Sequence, residues 1–273
     1  MKVLVTGAGG AIGRVLGRGL PDQGHELRAL DLNEQSADDG TYGLGWITGD
    51  CLDQDTVDRA VAGVDAVVHL AGNPDEDSLP ASLESHVHTT GHILEAMVRH
   101  GVPRLAYASS NHAVGRTPYT ELLTTAVLTT AVLTTTVRPR PDTFYGVAKV
   151  AAESLLSLYA DRHGLSAVAM RIGSFGQEPQ TRRQLSTWLS PGDAVRMVAA
   201  AIAYPEPGLH VVYGISNNSR GWWDLDPGHA IGYHPQDDAE DFAATIPDRA
   251  DDEFENAWVG GPHVNPSYAH AAF

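Results

Sequence analysis

The chain has 273 residues, 42% of them apolar, with 28 glycines, one cysteine and a formal net charge of -16. That apolar share is too high for a disordered polymer and suits a folded α/β chain, and no run approaches the roughly 18 apolar residues that span a bilayer. The negative charge repels phosphate backbones and argues against a nucleic-acid partner, while the lone Cys51 rules out an internal disulfide framework.

The chain opens on a strand-like run, Lys2–Val5, without a charged and then apolar leader; with the single cysteine this gives a cytoplasmic location as the expectation. The first predicted strand, Lys2–Thr6, ends in Gly7-Ala8-Gly9-Gly10-Ala11-Ile12-Gly13, and a helix is predicted over Ala11–Leu20. Gly7, Gly10 and Gly13 let the backbone turn tightly and approach a pyrophosphate at the helix N-terminus, with Ala11 and Ile12 on the same turn. Alone, the string also fits a plain strand–helix turn. The next predicted strand, Glu26–Leu32, carries Asp31, 18 residues after Gly13. An acid there accepts hydrogen bonds from an adenosine ribose and repels a 2′-phosphate, and no Arg or Lys follows closely, so NAD is favoured over NADP.

Further predicted strands are Leu44–Thr48, Ala66–Leu70, Arg104–Ala108, Ala167–Ile172 and Leu209–Gly214. Asp50 and Cys51 follow the first of these, and Leu70, Ala71 and Gly72 follow or end the second, at carboxyl edges where ligands of parallel sheets bind. Asp50 fits equally well as a turn cap, and Cys51 reads as a small buried residue on the cofactor side. Helices are predicted over Gln54–Val61, Ser82–His100, Gly146–His163 and Pro191–Tyr204, the last with Ser190 as N-cap. Strands alternating with helices argue for a doubly wound parallel sheet. Leu122–Val137, a near-repeat of Leu-Thr-Thr-Ala-Val, reads as a surface insertion without a functional account. From about Pro235 the chain turns acidic and is expected to wrap over the surface. Trp188, Trp222 and Trp223 are expected to pack the substrate side or a subunit contact.

Lysine occurs only at Lys2 and Lys149. Lys149 stands four residues after Tyr145 in Tyr-Gly-Val-Ala-Lys, so both side chains share a helix face. A phenol titrating near 10 is a poor base at neutrality, and a nearby ammonium favours the phenolate. Taken blindly, such a pair is usually a packing tyrosine and a solvated lysine; the glycine turn upstream changes that weighting. The fifth strand runs into Ser109-Ser110-Asn111-His112, where a serine hydroxyl can orient a reacting oxygen towards Tyr145, or simply leave the strand in a turn.

These motifs together resemble the extended short-chain dehydrogenase/reductases. More narrowly, Ser109-Ser110-Asn111-His112, Phe144–Lys149, Arg171–Phe175, Arg183–Trp188 and Gly221–Asp224, in that order, are similar to the uronate dehydrogenase family, over Lys2 to about Pro266. The resemblance implies a Rossmann-type doubly wound sheet spanning residues 1–273 as one domain, with a small substrate-side lobe from about 174–190 and 215–273. It implies Ser110, Tyr145 and Lys149 as the catalytic set, with Tyr145 as base and Lys149 on the nicotinamide ribose. It further implies sugar contacts from Ser110, Asn111, His112, Tyr145 and Ser174, and a carboxylate contact from Arg183, which would answer how so acidic a protein holds an anion.

Two positions depart from the family pattern: Asn73-Pro74-Asp75 stands where a small hydroxyl residue is usual, and His86 stands where an Asn is common. Asp75 beside a carboxylate would repel it, so either it points away or the substrate differs. Of the 13 histidines, none makes a metal-binding string, so no metal is expected. The implied activity is NAD-dependent oxidation of the anomeric carbon of a uronic acid to an aldarolactone, in an expected homo-oligomer. The rivals are a neutral aldose 1-dehydrogenase, a non-catalytic NAD-binding regulator and, with the short stretch after Gly173 against it, a nucleotide-sugar epimerase.

Overall fold

A computed structural model describes residues 1–120 and 132–273. The chain alternates strands and helices: β1 (Lys2–Thr6), α1 (Ala11–Gly19), β2 (Glu26–Asp31), β3 (Trp46–Thr48), α2 (Gln54–Val61), β4 (Ala66–His69), α3 (Leu79–Leu83), α4 (Thr89–His100), β5 (Arg104–Ser110) and α5 (Phe144–His163). Then follow β6 (Ser166–Ile172), β7 (Ser174–Phe175), α6 (Gln184–Thr187), β8 (Trp188–Leu189), α7 (Pro191–Ala203) and β9 (Gly208–Gly214). Seven strands form one sheet in the order β3-β2-β1-β4-β5-β6-β9, with every pairing parallel. Strand order reverses at β1 and β4, which opens a crevice at their carboxyl ends.

The period of two along each strand explains the near-continuous apolar runs. Val3, Val5, Val68, Ala106 and Met170 point to one face, packed with Leu16 of α1 and Val198 of α7. Leu4, Val67, Leu105 and Ala169 point to the other, against Val57, Ile93 and Leu156 from α2, α4 and α5. Helices cover both faces, so no strand position needs a polar side for solvent.

Most predicted elements fall within two residues of those observed. The helix predicted over Ser82–His100 is different. It starts at Leu79, where Ser78 caps and Pro80 occupies the first turn, and a π-turn at Glu84–His88 interrupts it. The π-turn displaces carbonyls from the regular ladder, and the Thr89 and Thr90 hydroxyls donate to the Ser85 and His86 carbonyls at 2.6 and 2.5 Å. The fifth strand also runs two residues further than predicted, taking in Ser109 and Ser110.

Most of the Thr-rich segment lies at 121–131, outside the described residues. Its tail is not a surface excursion. Leu133 is buried with Val114, Tyr213, Ile215, Trp222 and Trp223, and Tyr213 Oη donates to the Thr134 carbonyl at 3.0 Å. Trp222 and Trp223 stack at 4.1 Å inside this cluster, and Trp188 packs with Leu185, Ala239 and Ile246. Both clusters therefore draw on residues beyond β9, and the acidic C-terminal stretch buries Ile246, Val259 and Val264 as it crosses the surface.

Candidate active site

The turn after β1 is shaped for a close approach. Gly7 has φ +66°, and a Cβ there would meet the Ala71 backbone nitrogen at 2.9 Å. A Cβ on Gly13 would collide with the Gly7 and Ala8 carbonyls. Gly10 is the N-cap of α1 and provides no side-chain cap, and Gly10–Gly13 line the crevice, which leaves the first N–H groups of the helix open to it. At the end of β2, Asp31 Oδ2 accepts from the Gly9 N–H at 2.9 Å and Oδ1 from the Asn33 N–H at 3.0 Å. Every residue assigned above to the cofactor, together with Ser110, Tyr145 and Lys149, lines one cavity of about 760 Å³. That volume lies within the range usual for ligand sites, about 300–1,000 Å³. A glycine cradle, an uncapped helix start and a carboxylate with lone pairs to spare are the features that fit a dinucleotide such as NAD.

Tyr145 sits in the first turn of α5, whose start is unusually well secured. Thr143 Oγ1 accepts from the Gly146 N–H at 2.9 Å, and the Glu76 carboxylate accepts from the Phe144 and Tyr145 N–H groups at 2.8 and 3.1 Å. Glu76 comes from the loop after β4, directly following Asn73-Pro74-Asp75, so this loop anchors the tyrosine helix. Asp75 beside Glu76 is exposed and does not line the cavity.

The alternation of β5 sends Ser109 and Ser110 different ways. Ser109 Oγ donates to Glu153 at 2.5 Å, within a buried pair that Arg171 completes at 2.8 and 3.0 Å. Ser110 turns to the phenol. Burial pushes the Tyr145 pKa up to about 12, against a smaller downward pull from the Ser110 hydroxyl. Lys149 Nζ lies 5.2 Å from the Tyr145 ring centroid and donates to the Ala108 carbonyl at 2.7 Å. Burial pushes the Lys149 ammonium down to about 7, although Glu153 opposes this. His86 packs edge-on against Tyr145 at 5.0 Å, with Nε2–H bonded to the Asn73 carbonyl at 2.9 Å.

Asn111, His112, Ser174 and Arg183 do not line this cavity. Asn111, His112 and Arg183 instead meet the C-terminal strap at Val259 and His263. Asn111 Nδ2 donates to the Val259 carbonyl at 3.2 Å, and Arg183 Nη2 donates to the same oxygen. Ser110 Oγ meets Asn111 Oδ1 at 3.3 Å, so a hydrogen-bonded line runs from Ser110 to Arg183. Ser174 pairs with the Thr187 hydroxyl at 2.9 Å. Arg183 is buried with Nε unpartnered among the described residues, and burial pushes its pKa down to about 10. The residues that sequence reasoning missed are acids: Glu76, Asp142, which bonds His112, and Glu153. Nothing in their local sequence separates them from solvated carboxylates.

A dinucleotide crevice facing a tyrosine–lysine helix is the build of a nicotinamide-dependent enzyme acting on alcohols or sugars. The chain belongs to the NAD dependent epimerase/dehydratase family, whose sequence model matches residues 3–190. It is 37% identical over 266 residues to a uronate dehydrogenase of Pseudomonas syringae pv. tomato, covering 96% of this chain and 93% of that one. A crystal structure of a mutant uronate dehydrogenase from Agrobacterium tumefaciens, complexed with NAD, superposes with a TM-score of 0.85 at 36% identity, covering 97% of each chain. An L-arabinose 1-dehydrogenase (NAD(P)(+)) of Haloferax volcanii is 32% identical over 254 residues, 87% of this chain and 97% of that one. Among the described residues no helix is long and apolar enough to cross a membrane, and no group of three or more His, Cys, Asp or Glu side chains could hold a metal ion.

Proposed function

We propose that the protein is an NAD-dependent uronate dehydrogenase, oxidising the anomeric carbon of a cyclic uronic acid to an aldarolactone. The observation that carries this is the buried Arg183, whose Nε has no partner among the described residues and which a line of hydrogen bonds joins to Ser110. A desolvated guanidinium with an unused donor calls for an anion, and a sugar carboxylate offers acceptors for it.

In this reading Tyr145 takes the proton of the anomeric hydroxyl. Ser110 hydrogen-bonds the same oxygen and orients it towards the phenol. Asn111, His112 and Ser174 hold the remaining hydroxyls. Lys149, buried against the Tyr145 ring and bonded to the Ala108 carbonyl, would hold the nicotinamide ribose. NAD, when bound, accepts the hydride and brings the positive charge that lowers the phenol pKa. Proton and hydride leave together, so negative charge does not build up on the sugar oxygen.

The sheet forms one domain, and residues 174–190 and 215–273 build its sugar side. Homo-oligomeric assembly and a cytoplasmic location belong to the same reading. Val147 and Leu158, exposed eleven residues apart on α5, give a second copy an apolar stripe to cover. A neutral aldose 1-dehydrogenase is the second reading, favoured by one contact: the Val259 carbonyl already engages Arg183.

The test is turnover of galacturonate, glucuronate, galactose and arabinose with NAD and NADP, followed by NADH or NADPH absorbance. Higher kcat/KM for the uronates with NAD supports the proposal. Faster turnover of galactose or arabinose decides for the second reading, and no turnover of any sugar ends both.

A further inference from the structure

Three residues before Tyr145, Asp142 buries its side chain completely, while 18% of the His112 side chain stays exposed. The two Asp142 oxygens lie 3.0 and 2.9 Å from His112 Nδ1, and Thr143 Oγ1 donates to one of them at 3.3 Å. Two missing side chains make room for this carboxylate: a Cβ on Gly115 or on Gly260 would collide with it. These glycines face each other, with the Gly260 N–H donating to the Gly115 carbonyl at 2.8 Å. The slot is thus walled by the turn after β5 on one side and the C-terminal strap on the other. Backbone shape, not chance proximity, seats the acid against the imidazole.

The chemistry of the pair fixes a proton. An ionised carboxylate only accepts hydrogen bonds, so the hydrogen sits on Nδ1, and a neutral ring then carries its lone pair on Nε2. The His112 ring is held edge-to-face with Tyr145 at 5.9 Å and with His263 at 4.6 Å, so it cannot swing freely. The Asn111 amide is already a donor here, and Arg183 has only donors. A sugar hydroxyl held among donors needs an acceptor for its own hydrogen, and His112 Nε2 can supply one.

We propose that Asp142 is a positioning residue that holds His112 as its Nδ1–H tautomer, so that Nε2 accepts a hydrogen bond from a substrate hydroxyl beside Tyr145. The proposal rests on sugar oxidation at Tyr145 and adds a determinant of which hydroxyl arrangement is accepted.

The test pairs kinetics with a measurement that needs no activity. Long-range proton–nitrogen NMR spectra of the full chain report the His112 tautomer, its signals being those lost in His112→Gln. The wild type should show the hydrogen on Nδ1. Asp142→Asn and Asp142→Ala should lose that signature. Their kcat/KM for galacturonate should fall on the order of 10- to 100-fold, as for removal of a charged hydrogen bond, mainly through KM and with NAD affinity unchanged. A wild-type His112 with its hydrogen on Nε2, or turnover equal to wild type in both variants, overturns the proposal. The wild-type spectrum decides even if a variant fails to fold. If the wild type oxidises no sugar, the functional reading fails, while the spectrum still decides the Asp142–His112 pairing.

Discussion

Replacing Arg183 by alanine should separate acidic from neutral sugars. Arg183 is 8% exposed; among the described residues its Nε has no partner and Nη2 donates to the neutral Val259 carbonyl. Asp142 and Glu255 favour its charge from nearby, while burial works against it. Losing one partner of a desolvated charged contact costs about 2–5 kcal/mol. At about 1.36 kcal/mol per decade, that is a fall in kcat/KM for galacturonate on the order of 30-fold to several thousand-fold. Galactose has no carboxylate to lose. Its turnover should suffer much less, because Asn111 still holds the Val259 carbonyl at 3.2 Å and keeps the strap in place. The assay is initial rates of NADH formation with both sugars across a range of concentrations, alongside the melting temperature of the variant. Equal falls for galacturonate and galactose in a folded variant would show that Arg183 does not read the carboxylate.

Other residues test other parts of the account. Asp31→Ala removes the acceptor at the end of β2; kcat/KM with NAD should drop on the order of 10- to 100-fold while NADP improves relative to it, and an unchanged NAD:NADP ratio would count against ribose recognition there. Lys149 gives a pH signature in stability. Burial brings its pKa down to about 7, against about 10.4 for an unfolded lysine. Between these values the unfolded chain binds the extra proton, so stability rises with pH through that window, and the cost of the buried ammonium is complete below it. Lys149→Met removes this linkage, and its stability relative to wild type should be better at about pH 6 than at about pH 9 by ~2–3 kcal/mol. Denaturant titrations at both pH values measure it, and the lost bond to the Ala108 carbonyl cancels in the comparison. A pH-independent difference would mean that Lys149 does not titrate in this window.

The sheet was legible because its strands are buried on both faces. Runs such as Val3–Val5 and Ala66–Val68 have no polar alternate positions, and only helices on both sides explain that. The cofactor side was legible for a related reason. Gly7, Gly13 and Asp31 act through local geometry, at spacings that a strand, a turn and a helix fix by themselves. The π-turn at Glu84–His88 was not legible, since helical periodicity hardly registers one extra residue per turn. Glu76 and Asp142 were hidden more deeply. In sequence they read as acids in polar loops; in the fold, one secures the first turn of α5 and the other is buried between Gly115 and Gly260. Their partners lie 68 and 30 residues away, Phe144 for Glu76 and His112 for Asp142, and only tertiary packing brings them together. The strap over Arg183 was equally unreadable, because Val259 engages through its backbone carbonyl and leaves no mark in its side chain.

The most direct measurement is the turnover of Tyr145→Phe with galacturonate and NAD, made together with its NAD affinity. The substitution keeps the ring against His86 and removes only the hydroxyl that Ser110 faces. Loss of a positioned general base costs about 10²- to 10⁴-fold; kcat should fall by that much while NAD binds as in the wild type. A variant that oxidises the sugar at the wild-type rate would contradict proton removal by Tyr145.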